Sequence, residues 1–239
     1  VEVLAQLATL AKARPDSGID FESLVANIET FASKTHENDY THKQDFDYYP
    51  TSIAKAAIAL GESEPDVSER LLRLAVENAT ADQSRDGWSR GNGFIAKCHM
   101  VEDYAIANPQ KAEELLREFK VTEDPVDTKP IGATIQKYLE LNDIESAYRV
   151  AIERGNADHV AIAGTEIAKS NPQRLIDAIT DRWATKKEKY YEPKRENAVA
   201  AYTQIVDRLM RSGGSQETAQ LLIEEAKKVL ASMAPIGSR

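Results

Sequence analysis

A helix-corner-helix pattern that occurs twice constrains the fold of this chain more than any other sequence feature. The later copy runs from Gly155 to Trp183 and the earlier copy from Gly91 to Phe119. Both begin with Gly-Asn, carry an alanine three residues before the corner and place Asn-Pro-Gln at the corner, and the earlier copy contains one extra residue. Their starts are separated by two steps of about 32 residues, a spacing within the range of stacked two-helix repeats.

The Asn-Pro-Gln corner predicts that one helix ends and the next begins with almost no loop. A residue before proline is driven out of the α region, so Asn108 and Asn171 should each end a helix. Proline suits the first position of a helix, and asparagine before it is a good N-cap. Each copy should therefore be a helical hairpin with two facing apolar stripes. In the later copy these stripes are Val160, Ala163, Gly164, Ile167 and Ala168, and Ile176, Ile179 and Trp183.

Helical periodicity extends over most of the chain and predicts about twelve helices and no strand. Paired in sequence, these helices would form about six antiparallel hairpins, each with one buried seam and a second face that needs a neighbour. That arrangement is an all-α solenoid with a right-handed superhelix. We expect a single domain over 1–239, with a subdivision into N-terminal helices at 1–83 and regular hairpin repeats at 84–239. The last hairpin should pair one stripe, Ala198, Ala201, Tyr202, Ile205 and Leu209, with a second, Ala219, Leu222, Ile223, Ala226, Val229, Leu230 and Met233.

The composition excludes several classes of protein. The net charge of −9 disfavours a general nucleic-acid binder, because neutralising phosphates requires a basic face. No stretch approaches the ~18 apolar residues of a membrane span. A single cysteine, Cys98, rules out an internal disulfide and favours a reducing, cytoplasmic compartment. The chain shows no signal peptide and begins inside a helical pattern without Met, which we interpret as a piece of a longer protein.

No pattern in the sequence predicts catalysis, a cofactor or a metal site. His36, His42 and their neighbouring aspartates lie in one polar segment without the further ligands that a tetrahedral site needs. On the helix after residue 91, His99 shares a face with two carboxylates, but no second His-carboxylate helix accompanies it. Cys98 is better explained as a small core residue than as a nucleophile, since His99 points about 100° away around the helix. We therefore expect no enzyme activity and no cofactor.

Two irregular segments contain the best candidates for partner binding. The segment 84–93 combines three glycines and two arginines before a helix N-terminus and could bind an anion, although a flexible corner is the simpler explanation. The segment 36–50 is rich in aromatic residues, which are enriched at binding hot spots, although capping of the fold would also explain them. A basic island at 186–196 could pair with acidic peptide or nucleic acid, but its glutamates favour a structural role. The predicted partner-binding residues are Tyr40, Tyr48, Tyr49, Arg85, Trp88, Arg90 and His99.

The C-terminal half resembles the tetratricopeptide superfamily of helical repeats. The resemblance rests on the small-residue pattern of the last hairpin, Ala201 and Tyr202 followed by Gly213, Ala219, Ile223 and Ala226, and on Ala147 and Ala151 with the hairpin that follows. The Trp-Leu-Gly opening of that family is absent from every unit, and the N-terminal third does not align with the repeat. The resemblance implies a protein-interaction scaffold with a concave groove.

These observations lead to two functional hypotheses. The first is a non-catalytic scaffold that binds a protein or peptide in a groove lined by the first helix of each hairpin. The second is a ligand-binding or enzymatic helical domain whose pocket lies where the segments 84–93 and 36–50 meet. Under the first hypothesis, the inner surface should expose Lys97, Glu102, Gln136, Lys137, Glu140, His159, Glu166, Gln204 and Arg208.

Overall fold

The computed structural model confirms the all-α class. It describes residues 2–14, 16, 18–33, 48–85, 92–121, 128–185 and 194–233, and within these ranges it contains twelve helices and no strand. The first six helices are α1 (Glu2–Ala13), α2 (Phe21–Ser33), α3 (Tyr48–Leu60), α4 (Pro65–Arg85), α5 (Asn92–Ala107) and α6 (Pro109–Glu118). The remaining six are α7 (Lys129–Glu140), α8 (Ile144–Arg154), α9 (Ala157–Ser170), α10 (Pro172–Ile179), α11 (Arg195–Arg211) and α12 (Gln216–Met233).

Both predicted corners are present and have the same hydrogen bonds. The backbone N–H of Lys111 donates to Asn108 Oδ1 at 3.0 Å, and that of Arg174 donates to Asn171 Oδ1 at 3.1 Å. Each asparagine N–H also donates to the carbonyl four residues earlier, at 2.6 Å for Asn108 and 2.7 Å for Asn171. Asparagine therefore closes one helix and caps the next at both corners, as the sequence predicts.

Helix contacts divide the chain into two compact units, Val1–Leu115 and Leu116–Arg239. In the first unit α3 is central and packs against α1, α4 and α5. Its inward side carries Ala54, Ala56 and Ala57, all fully buried, so neighbouring backbones approach closely. The hydroxyl of Ser68 on α4 reaches across to the carbonyl of Ala57 at 2.7 Å. Small side chains and one interhelical hydrogen bond thus fix α4 against α3.

In the second unit α9 is central and packs against α7, α8, α10 and α11. All five residues of its predicted apolar stripe are buried: Val160, Ala163, Gly164, Ile167 and Ala168. The contacts of this unit join α7 to α8, α8 to α9, α9 to α10 and α11 to α12. They also join α7 to α9, α9 to α11 and α10 to α12. The core therefore continues from one helix pair to the next.

A π-helical segment, Thr180–Thr185, continues α10 and was not predicted from the sequence. Its Arg182 reaches the C-terminal end of α8, where Nη1 donates to the carbonyls of Ala151, at 2.9 Å, and Ile152. Nη2 donates to the carbonyl of Gly155 at 2.6 Å. The Ala151 carbonyl also accepts from the Gly155 N–H at 2.9 Å. The last carbonyls of a helix lack intrahelical N–H donors, so a guanidinium there helps to satisfy them and complements the helix dipole.

The exposure predicted for four residues is wrong. Lys97 and His159, which were expected on an exposed inner surface, are each only 9% exposed. At the end of α12, Leu230 and Met233 were expected in the buried seam but are 50% and 40% exposed. Cys98 is fully buried, in agreement with a core role. Within the described ranges, no helix is both long and apolar enough to cross a membrane.

Candidate functional site

Most of the predicted partner-binding residues lie outside the part of the chain whose side chains are described. Tyr48 and Tyr49 begin α3 and Arg85 ends α4, and only their backbones are described. Tyr40, Trp88 and Arg90 fall in the ranges that are not described. The pocket expected between segments 36–50 and 84–93 lies in those same ranges. For these six residues the binding role stays a prediction.

His99 is the predicted site residue whose side chain is described, and it is exposed on α5. Its Nδ1 lies 3.8 Å from Glu102 Oε2, so the two residues share a helix face as their spacing indicates. The other carboxylate oxygen, Glu102 Oε1, is buried without a hydrogen-bond partner among the described residues. Nowhere in the described ranges do three or more His, Cys, Asp or Glu side chains form a group that could hold a metal ion.

A surface depression in the second unit lies between α9 and α11, and we call it the α9–α11 groove. Its volume is about 620 Å³. Residues at helical spacing on each helix point into it, so that each helix forms one wall. The groove is lined by Ile162, Thr165, Glu166, Gln204, Asp207, Arg208, Arg211 and Ser212. Glu166, Gln204 and Arg208 belong to the inner surface that the sequence predicts.

Charged side chains line both walls of the groove, and most are paired within their own helix. Lys169 Nζ lies 2.7 Å from Glu166 Oε1 on α9, and Arg211 Nε lies 3.0 Å from Asp207 Oδ1 on α11. These i,i+3 and i,i+4 pairs are solvent-exposed, so each contributes only about 0.3–0.5 kcal/mol. Because neither pair crosses the groove, both leave its centre open.

Two groove residues on α11 differ from these pairs. Gln204 Nε2 donates to Asp158 Oδ1 at 2.6 Å and so ties α11 to the first turn of α9. Arg208 is exposed, and among the described residues its guanidinium has no hydrogen bond or ion pair. The groove thus offers a cation, Arg208, that has no ion-pair partner among the described residues, next to an amide held by Asp158.

Close packing beneath the groove holds its two walls in place. A Cβ on Gly164 would lie 2.9 Å from Leu175 Cδ1 and 3.6 Å from Ile205 Cδ1, so α10 and α11 both meet α9 at this glycine. The Tyr202 hydroxyl on α11 donates to the carbonyl of Ile176 on α10 at 3.2 Å. Burial raises the pKa of Tyr202 to about 12, so this donor stays protonated at neutral pH.

His159 lies next to the groove but contributes to the framework of α9 instead of its surface. The His159 N–H donates to Asn156 Oδ1 at 3.0 Å, and the Asn156 N–H donates to His159 Nδ1 at 3.3 Å. This reciprocal pair is a capping box at the start of α9. Burial lowers the pKa of His159; nearby Arg182 lowers it further, and Asp158 opposes the shift. The side chain is therefore neutral at pH 7 and accepts the cap hydrogen bond.

The sequence could have indicated the cap but not the π-helical segment. Gly-Asn followed three residues later by a side chain with an acceptor nitrogen is a recognisable helix start. Nothing local marks Thr180–Thr185, because Arg182 acts on α8, about 30 residues earlier in the chain. The chain matches no protein-family model, no curated protein and no solved structure.

Proposed function

We propose that this chain is a non-catalytic interaction module that binds an extended segment of a protein or peptide in the α9–α11 groove. The observation that carries the proposal is the groove itself, which is open, polar and lined along two packed helices. Its mixture of charges and amides suits a peptide, whose backbone offers donors and acceptors at regular spacing. A small apolar ligand would find little enclosed surface there.

The pattern of helix contacts supports a solenoid as the scaffold for this groove. In a helical solenoid each helix contacts its hairpin partner and the equivalent helix of the next hairpin. The contacts of α9 with α7 and α11, and of α12 with α10 and α11, follow this pattern in the second unit. In the proposed right-handed, tetratricopeptide-like array, α9 and α11 are first helices of successive hairpins. A groove between first helices is where a solenoid binds extended ligands.

Arg208 is the residue on which we expect binding to depend most. It has no described partner inside the protein, so a ligand carboxylate or other anion can pair with it without breaking an existing ion pair. Gln204, held by Asp158, lies one turn earlier and can accept a backbone N–H of the ligand. The expected ligand is therefore a polar peptide segment with at least one acidic group.

A peptide display selection on the full chain, followed by affinity measurements, tests this proposal. For the selected peptides, Arg208→Glu should weaken binding by about tenfold or more, equivalent to about 1.4 kcal/mol. Lys228→Glu is the matched control, because it makes the same charge change on α12 outside the groove. Binding through the groove predicts an unchanged affinity for the control. Equal loss in both variants, or a selection that enriches no peptide, would contradict the proposal.

The alternative, a ligand-binding or enzymatic pocket formed by segments 36–50 and 84–93, makes a different prediction. In that case Trp88→Ala or Tyr48→Ala would abolish binding of a selected ligand, and Arg208→Glu would leave it intact. The same affinity assay separates the two hypotheses. We favour the groove because its polar lining residues are arranged along two packed helices.

A further inference from the structure

The peptide unit between Gly155 and Asn156, at the junction of α8 and α9, is held by a side chain on each of its two polar groups. The Gly155 carbonyl accepts from Arg182 Nη2 at 2.6 Å, and the Asn156 N–H donates to His159 Nδ1 at 3.3 Å. The junction is also closely packed, since a Cβ on Gly155 would lie 2.6 Å from His159 Cβ. The start of α9 therefore depends on Arg182 and His159 together.

The ring of His159 holds the junction only in its neutral form. Because Nδ1 accepts a hydrogen bond, the neutral imidazole carries its proton on Nε2. Nε2 faces α7, where a Cβ on Gly132 would lie 3.1 Å from it. A proton added at Nδ1 converts the acceptor into a donor that meets the N–H of Asn156. Protonation therefore breaks the capping box at the start of α9.

The surroundings of His159 oppose its protonation. Burial lowers its pKa, Asp158 on its own helix raises it, and Arg182 on the π-helical segment lowers it. Among the described residues, α7, α8, α10 and α11 add no further charged group to these two. A proton on the ring thus places a second cation near Arg182 in addition to breaking the cap.

The first turn of α9 is connected directly to the α9–α11 groove. Asp158, the residue before His159, accepts a hydrogen bond from Gln204 Nε2 at 2.6 Å. Gln204 lines the groove one turn before Arg208. The capping box fixes the turn that carries Asp158, and Asp158 in turn fixes Gln204. Loosening the start of α9 therefore removes the support of one groove wall.

We propose that His159 is a pH-dependent switch of the α9–α11 groove, whose protonation loosens the first turn of α9, frees Gln204 from Asp158 and releases the bound peptide. This inference rests on the proposed function, because it concerns regulation of the same groove. Peptide binding and protonation then oppose each other by linkage. The affinity is full above the pKa of His159 in the unliganded chain and falls as the pH falls through that pKa.

A pH series of peptide affinities on the full chain tests the switch. The probe is a histidine-free peptide selected at pH 7.5, whose acidic group and Arg208 both stay charged down to about pH 5.5. NMR titration gives the pKa of His159, whose imidazole signal is the one absent from His159→Gln. The affinity should be halved at that pKa and about tenfold lower one pH unit below it. Saturating peptide should lower the measured pKa, because linkage is reciprocal.

Two variants at position 159 separate loss of the cap from other effects of acid. His159→Gln keeps a side-chain acceptor and does not titrate, so its affinity should match that of the parent at pH 7.5 and change little with pH. His159→Leu has no acceptor, so it should bind about threefold or more weakly already at pH 7.5. Circular dichroism at each pH identifies the range in which each protein is folded.

Asp158→Ala tests the route from the cap to the groove. It removes the acceptor that holds Gln204, so binding should be weaker at pH 7.5 and should fall less steeply below the pKa of His159 measured in that variant. A fall as steep as that of the parent would overturn this route.

The remaining outcomes distinguish the switch from the groove itself. If the affinity falls equally in the parent and His159→Gln, or does not fall at the pKa of His159, the switch is overturned and the proposed function stands. If no peptide binds at pH 7.5, the proposed function is overturned and the switch with it.

Discussion

At the scale of single residues, the second unit depends on side chains that satisfy the ends of helices. Arg182 binds three carbonyls at the end of α8, and His159 completes the cap at the start of α9. Both act at helix ends, where several backbone groups lack a partner within the helix. Gly132 has a related role, because a Cβ there would lie 3.1 Å from His159 Nε2. The ring of His159 is thus confined on one side and hydrogen-bonded on the other.

The lowered pKa of His159 predicts that the protein loses stability at mildly acidic pH. Burial lowers its pKa in the folded state below the ordinary value of about 6.5, which should hold in the unfolded state. Well above pH 6.5 the group is neutral in both states and contributes no pH dependence. As the pH falls from about 6.5 towards the lowered folded value, the unfolded state binds the proton first, so the free energy of unfolding decreases. Protonation of Nδ1 would also remove the acceptor of the cap.

Urea unfolding of the parent chain and of His159→Gln at pH 7.5 and pH 5.5 measures this effect. Glutamine at the same position can keep a capping box and does not titrate. We expect the parent to lose stability between the two pH values and His159→Gln to lose clearly less. The same loss in both proteins would show that His159 is not the titrating group.

At the scale of helices, the two Asn-Pro-Gln corners are the features that the sequence specifies best. Proline and asparagine act through the local backbone, so the helix boundaries at Asn108 and Asn171 could be predicted without knowledge of the fold. The buried stripe of α9 was also predictable, because its period matches the helix. The exposure of side chains at the end of α12 was not predictable, because periodicity identifies an apolar face but does not show whether a neighbouring helix covers it. Burial of Lys97 and His159 likewise depends on packing partners distant in sequence.

Equal effects of substitution at the two corners are expected from their equal geometry. Asn108→Ala and Asn171→Ala should each reduce the stability of their helix pair by about 1 kcal/mol, because each removes one cap hydrogen bond. Asn→Ser at the same positions keeps a side-chain acceptor and should recover most of the loss. Thermal unfolding of the four variants provides the measurement. A loss at one corner and none at the other would contradict the view that the corners are structurally equivalent.

At the scale of the whole molecule, the second unit presents two surfaces with opposite character. The α9–α11 groove is polar and contains Arg208, which has no ion-pair partner among the described residues, whereas the depression between α11 and α12 is lined mainly by apolar side chains. Helix α11 contributes to both through opposite sides. Part of the groove could be predicted from the sequence, since Glu166, Gln204 and Arg208 were assigned to an inner surface. The depression between α11 and α12 could not be predicted, because the periodicity places Ile223, Ala226 and Leu230, which line it, in the core.

The central claim is that a peptide segment binds along α9 and α11, and amide hydrogen exchange of the full chain tests it most directly. Exchange would be compared with and without a peptide selected on the parent chain. We predict that the peptide slows exchange in residues 162–166 and 204–212 and that Arg208→Glu removes this protection. Protection confined to residues 36–50 and 84–93, with no change along α9 and α11, would contradict the account and place the binding site in the alternative pocket.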